Sequence, residues 1–147
     1  MGSTFLSLHY HIVFSTQERR PIIRPKWRAG LHSYLGGTAK GLGAIPQMIG
    51  GVEDHVHLLV GLKATHCLAE FLRELKKASS SWAAQRFDPL FQWQEGYAAF
   101  TVSATHLNAV RNYIANQEEH HHKSSFKEEL KRLLEKNDVK YNPKYLL

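Results

Sequence analysis

Gly50-Gly51-Val52-Glu53-Asp54-His55-Val56-His57-Leu58-Leu59-Val60 is the stretch on which the reading of this chain turns. Strand side chains alternate between two faces, so Val56, Leu58 and Val60 share one face and His55 and His57 the other. Two residues along a strand separate Cα atoms by roughly 7 Å, a span that two imidazoles can close on one ion. The same pair also fits two solvent-facing rings on a half-exposed sheet. The apolar segment before it, Ala44 to Ile49, reads as a partner strand, with Gly50-Gly51 as the turn of a hairpin. By parity Glu53 falls on the histidine face and Asp54 does not, and neither is read as a ligand.

Outward from the hairpin, the periodicity alternates between two and 3.6. Leu8 to Ser15 is β-branched and aromatic and reads as a first strand, with Tyr10, Ile12 and Phe14 on one face and His9, His11 and Val13 on the other. Lys26 to Ala39 carries Trp27, Leu31, Tyr34 and Leu35 at helical steps, and Gly41-Leu42-Gly43 closes it. A second helix opens at Thr65-His66 and runs to Trp82 on the stripe Leu68, Phe71, Leu72, Leu75, Ala78. Ala98 to Val102 is a fourth strand, and a third helix spans about Thr105 to Glu119. Ser125 and Glu128 form a capping box for a last helix through Leu134, and the tail from Asn137 is irregular. The order β-α-β-β-α-β followed by helices predicts an α+β, ferredoxin-like domain over 1–147, with a four-stranded antiparallel sheet and additional C-terminal helices.

On the third helix, Tyr113 and Gln117 lie four residues apart and stack on one face, offset from the buried stripe Leu107, Val110 and Ile114. Core packing is the ordinary role for such a tyrosine and surface exposure for such a glutamine. Composition narrows the setting. The chain has 147 residues, one cysteine (Cys67) and a formal net charge of +6. A lone cysteine rules out an internal disulfide and a thiolate zinc cluster, which fits a reducing cytoplasm. No apolar run reaches the roughly 18 residues of a membrane span. Between Arg19 and Val52 stand six basic residues and no acid, a one-signed stretch that attracts polyanions. Arg19, Arg20, Arg24 and Arg28 there, and Lys76 and Lys77 with Ser79, Ser80 and Ser81 at the end of the second helix, are candidate nucleic-acid contacts; a solvated basic face is the plainer alternative. Trp93 and Tyr97 could stack on unpaired bases, against a default of core packing. His120-His121-His122 reads as an exposed patch.

Taken together, four of these segments resemble one family. Gly50 to Leu59 looks like the histidine-hydrophobic-histidine motif of the HUH endonucleases. Tyr113-Ile114-Ala115-Asn116-Gln117 looks like a catalytic tyrosine followed by a metal-binding glutamine. With Tyr10 to Thr16 and Trp93 to Tyr97, the pattern resembles the single-tyrosine transposases of bacterial insertion sequences, from about residue 8 to 145. The resemblance implies a ferredoxin-like fold and cleavage and rejoining of single-stranded DNA through a 5′-phosphotyrosine. It implies Tyr113 as nucleophile, and His55, His57 and Gln117 as ligands of Mg2+ or Mn2+. It further implies single-stranded DNA with hairpin ends as partner, and a homodimer in which the tyrosine helix often serves the other subunit. The base that activates Tyr113 is not visible in the sequence. A replication-initiator or relaxase-like nickase shares this chemistry, and a non-catalytic single-strand binding module is the alternative from another class.

Overall fold

The computed structural model describes residues 2–146; the side chains of residues 120–122 lie outside the described set, and with them the expected His120–His122 patch. Four strands form one sheet: β1 (His9–Ser15), β2 (Ile45–Gly51), β3 (His55–Gly61) and β4 (Ala98–Val102). Their spatial order is β2-β3-β1-β4 with every neighbouring pair antiparallel. Helix α1 (Pro25–Gly41) joins β1 to β2, and α2 (Leu68–Arg86) joins β3 to β4. The ferredoxin-like α+β plan read from the periodicity is the observed one.

Proline at the start of α1 occupies a position where a missing N–H costs nothing, and Gly43, with φ of 89°, turns the chain after the helix. Trp27, Leu31, Leu35 and Ala39 then recur on one face and are buried. With Phe71, Leu72 and Leu75 of α2 they cover the sheet face bearing Ile12, Phe14, Val56, Leu58 and Val60.

Three further helices, α3 (Leu107–Ala115), α4 (Gln117–Lys123) and α5 (Phe126–Lys136), follow β4. Phe126, Leu130 and Leu134 of α5 pack on Val13 and Phe100, while Ile114 of α3 packs on Leu59 and Val102. Both sheet faces are therefore covered, and all seven residues of β3 are buried. The half-exposed sheet with solvent-facing histidines does not occur. No helix among the described residues is long and apolar enough to cross a membrane.

Two local expectations change. Gly50 and Gly51 are the last residues of β2, paired with His57 and Val56, and the turn is Val52 to Asp54. Glycine is needed at position 50 because α3 crosses there: a Cβ would lie 2.5 Å from the Ile114 carbonyl oxygen. The single helix expected from Thr105 to Glu119 is broken at Asn116, so Tyr113 ends up on α3 and Gln117 opens α4.

His32 on α1 is half-buried, and its Nε2 has no hydrogen-bond partner among the described residues. Burial first, and then the neighbouring Arg28, push its pKa down to about 4, against an opposing pull from Glu118. The unfolded chain binds a proton near pH 6.5, whereas the folded one resists it until about 4. This contribution to stability is therefore whole above pH 6.5 and is lost as pH falls through 4. His32→Gln is expected to lose less urea resistance than the parent between pH 7 and pH 4. Parallel acid limbs for the two proteins would contradict this account.

Candidate active site

Register places His57 opposite Val13 and His55 opposite Ser15, on the sheet face under α3 and α5. His55 and His57 are 1% and 0% exposed. Imidazoles so deeply buried must have partners. The partners come from four directions.

Asp54, in the turn, accepts a hydrogen bond from His55 Nδ1 at 2.7 Å. The turn thus overrides the strand parity that pointed Asp54 away. His11 of β1 bridges to His57 Nδ1 at 2.7 Å. Both histidines are so held through Nδ1, which leaves each Nε2 aimed at a common point under α5, the arrangement by which outer partners orient metal-binding imidazoles. Gln117 Oε1 lies 2.9 Å from His55 Nε2. Glu129 of α5 closes the set, its Oε1 standing 3.1 Å from Nε2 of each histidine.

The other Glu129 oxygen, Oε2, accepts the Tyr113 hydroxyl and, at 2.9 Å, the Gln117 amide. Tyr113 stands edge-on to His57, with ring centroids 5.6 Å apart. Phe126, one turn before Glu129, stacks on His55 at 4.4 Å and shields it from water. The structure thus brings His55, His57, Gln117 and Tyr113 together within one chain, around a carboxylate that sequence reading did not single out.

Electrostatics follow from this packing. Burial opposes a charge on His55, but the carboxylates of Asp54 and Glu129 more than offset it and lift its pKa to about 9. Burial lowers His57, and burial together with His57 pushes His11 down to about 3. Burial opposes the Glu129 charge too, yet the bonds from His55 and His57 hold its carboxyl well below the usual carboxylate range. Burial, and then the charge of Glu129, push the Tyr113 phenol well above its ordinary value. This is an anion-centred cluster in which an added positive charge would be welcome. His55, His57 and Glu129 each offer a ligand atom, all within 4.8 Å of one another, and could hold a metal ion. Buried nitrogen and carboxylate donors converging on one point are the chemistry a divalent cation requires.

Residues 4–117 match the family described as IS200-like transposases. The chain belongs to this family. The ISDra2 transposase TnpA of Deinococcus radiodurans is 26% identical over 119 residues, covering 75% of this chain and 84% of the relative. A crystal structure of a Deinococcus radiodurans protein assigned as a transposase superposes with a TM-score of 0.64 at 26% identity, covering 80% of this chain and 96% of that one. At 13% identity, a REP-associated tyrosine transposase bound to a REP hairpin shares the fold, with a TM-score of 0.61 over 82% of this chain and 74% of its own. The chain is thus a transposase, a DNA-processing enzyme of recombination.

Away from the cluster, the transposase uses several of its candidate DNA-contacting residues internally. Lys76 Nζ donates to the carbonyls of Gln94 and Gly96 at 2.8 and 2.6 Å and so clamps the loop before β4. Arg28 donates to the Ile23 carbonyl at 2.9 Å and pairs with Glu118 at 3.5 Å. Arg20 pairs with Glu18. Arg19, Arg24 and Lys77 are exposed. Ser79 is fully buried, bonded to Leu75 and to the Trp93 indole, so both belong to the core, whereas Tyr97 is 40% exposed.

Glu129 left a legible trace in the sequence: it lies three residues after Phe126 and four before Leu133, inside the apolar stripe of α5. A carboxylate in such a stripe signals a buried partner. His11 likewise shares a strand face with the core residue Val13.

Proposed function

We propose that this transposase cleaves and rejoins single-stranded DNA with hairpin ends through a 5′-phosphotyrosine on Tyr113. The observation that carries the reading is the meeting of the Tyr113 hydroxyl and both histidine Nε2 atoms on one buried carboxylate, Glu129. A nucleophile and a cation-binding group held side by side are what phosphodiester transfer needs.

In the first half-reaction the Tyr113 O–H bond breaks and its Oη–phosphorus bond forms. The bond from phosphorus to the 3′ oxygen breaks, and the departing 3′ oxygen takes up a proton in place of the one the phenol gave up. The phosphotyrosine keeps the energy of the broken bond, so a 3′ hydroxyl can attack it and release Tyr113. His55 and His57, with Gln117 beside them, would hold the divalent cation, Mg2+ or Mn2+. When bound, it supplies positive charge to a non-bridging phosphate oxygen and to the developing phenolate. Asp54 and His11 keep the imidazoles oriented, and Phe126 excludes water from His55.

Within one chain α3 seats Tyr113 beside His57 and Glu129, so the nucleophile and the cation-binding group meet on one sheet. A homodimer that would join two DNA ends, a single functional domain over 1–147 and action in the bacterial cytoplasm are parts of the same proposal, supported by the family and by the single cysteine. The exposed Arg19, Arg24 and Lys77 are the proposed backbone contacts, with Arg20, Arg28 and Lys76 in supporting positions. End-labelled single-stranded hairpin oligonucleotides incubated with Mn2+ are expected to yield a protein–DNA adduct that survives denaturation. Absence of an adduct across a library of such hairpins would sink the reading.

A further inference from the structure

Resting on that functional reading, we propose that Glu129 couples the cation to the nucleophile. Its Oε1 is an anionic ligand between His55 and His57, and its Oε2 holds the Tyr113 hydroxyl, so one carboxylate from α5 sets the spacing of the two.

Geometry makes the case first. Glu129 Oε1 is equidistant, at 3.1 Å, from the two Nε2 atoms that face the common point. Its Oε2 accepts from Tyr113 and from Gln117. Each oxygen therefore serves a different half of the site. Gln117 sits differently: it is neutral, its Oε1 lies 2.9 Å from His55 Nε2 with its side chain also reaching His57, and its amide donates to Glu129. The resemblance to the family assigns the third ligand to Gln117; the structure adds a carboxylate at the corner that both histidines share.

Charge makes the case second. Two imidazoles and an amide are neutral donors. Asp54 lies behind His55 at Nδ1, whereas Glu129 brings an anionic oxygen within 3.1 Å of both Nε2 atoms, where a buried divalent ion needs it. Glu129 is 4% exposed on a helix whose neighbouring Glu128 and Glu135 face solvent. The apolar stripe of α5 carries Glu129 into the interior, and a carboxylate held there as an anion needs positively charged or hydrogen-bonding partners.

The delivery is rigid. Phe126 stacks on His55, Leu130 and Leu134 anchor the same helix face on the sheet, and the Ser125/Glu128 capping box locks its first turn. Ligand and nucleophile positions are thereby tied to the docking of one helix.

Two measurements on the full chain test the two halves without relying on turnover. Free Mn2+ followed by electron paramagnetic resonance is expected to show Glu129→Gln binding at least about tenfold more weakly than the parent, the scale seen when a site loses a supporting group. Gln117→Ala is expected to lose less, Tyr113→Phe little, and Glu129→Asp, which keeps the charge on a shorter arm, less than Glu129→Gln. Wild-type binding by Glu129→Gln, with Gln117→Ala defective, would overturn the ligand half. For the other half, adding Mg2+ to protein carrying 13C-tyrosine is expected to move the Tyr113 ring resonance in the parent and not in Glu129→Gln. An equal movement in both would overturn the bridge. A cooperative melt of Glu129→Gln shows that the fold survives. If instead the parent binds Mn2+, shows the Tyr113 shift, and forms no adduct with DNA, the functional reading fails while the bridge stands.

Discussion

Tyr113→Phe is expected to abolish adduct formation and strand cleavage while leaving single-stranded DNA binding within about twofold of the parent. The change removes only the hydroxyl, which is the proposed reacting atom; the ring keeps its edge-on seat against His57. Loss of a nucleophile that acts as one unit with its neighbours costs at least about a thousandfold in rate. Stability should change by only about 1 kcal/mol, the net worth of one hydrogen bond, because Glu129 Oε2 still accepts from Gln117. Denaturing gels with labelled hairpin DNA and a gel-shift assay separate the two effects. An adduct that persists in Tyr113→Phe would move the nucleophile elsewhere. Cleavage never seen in the parent, with binding intact, would favour the non-catalytic module.

Gly50→Ala is expected to damage the enzyme from a position that carries no chemistry. The new Cβ would meet the Ile114 carbonyl oxygen at 2.5 Å and the Ile114 Cγ2 at 2.9 Å. The first contact is backbone, so no side-chain rotation relieves it, and α3 must lift from β2. Overpacking of this kind costs about 1–3 kcal/mol. Tyr113 precedes Ile114 on α3, so the nucleophile moves with it, and a displacement near 1 Å costs on the order of a hundredfold in rate. Gly37→Ala provides the contrast. That glycine lies inside α1 with nothing within 4 Å of a Cβ, and the substitution should stabilise by about 0.5–1 kcal/mol with activity unchanged. Thermal melts and adduct rates of the two variants, side by side, check both statements. Equal behaviour of Gly50→Ala and the parent would show that α3 does not need that close approach.

The proposed coupling through Glu129 bears on how the site is assembled. A cation site built only from the His55–His57 strand and α4 would form whether or not α5 docked. With Glu129 in the set, the C-terminal helix becomes part of the active centre, and truncation before Phe126 should remove more than a stabilising cap.

Which parts of this were legible beforehand depends on the range of the physics involved. Strand alternation and helical periodicity are local, so the chain itself dictated four strands, the two crossover helices and the α5 capping box. They also dictated that His55 and His57 would project from the same side of β3. Tyr113 and Gln117, four residues apart, were bound to lie near each other even though the helix between them breaks at Asn116. Local periodicity does not say what lands on a sheet face. The covering of the second face by α3 and α5 turned a half-exposed histidine pair into a buried one. It also brought Glu129 to His57 across 72 positions of chain, and the sheet register set His11 against His57 across 46. Asp54 reached His55 because a tight turn, not a strand, carries it. Those contacts arise from the packing of apolar stripes whose partners are specified only by the whole assembly. The sequence by itself therefore determined the elements and the chemistry-bearing residue types, and tertiary packing decided which carboxylate stands between the histidines and the tyrosine.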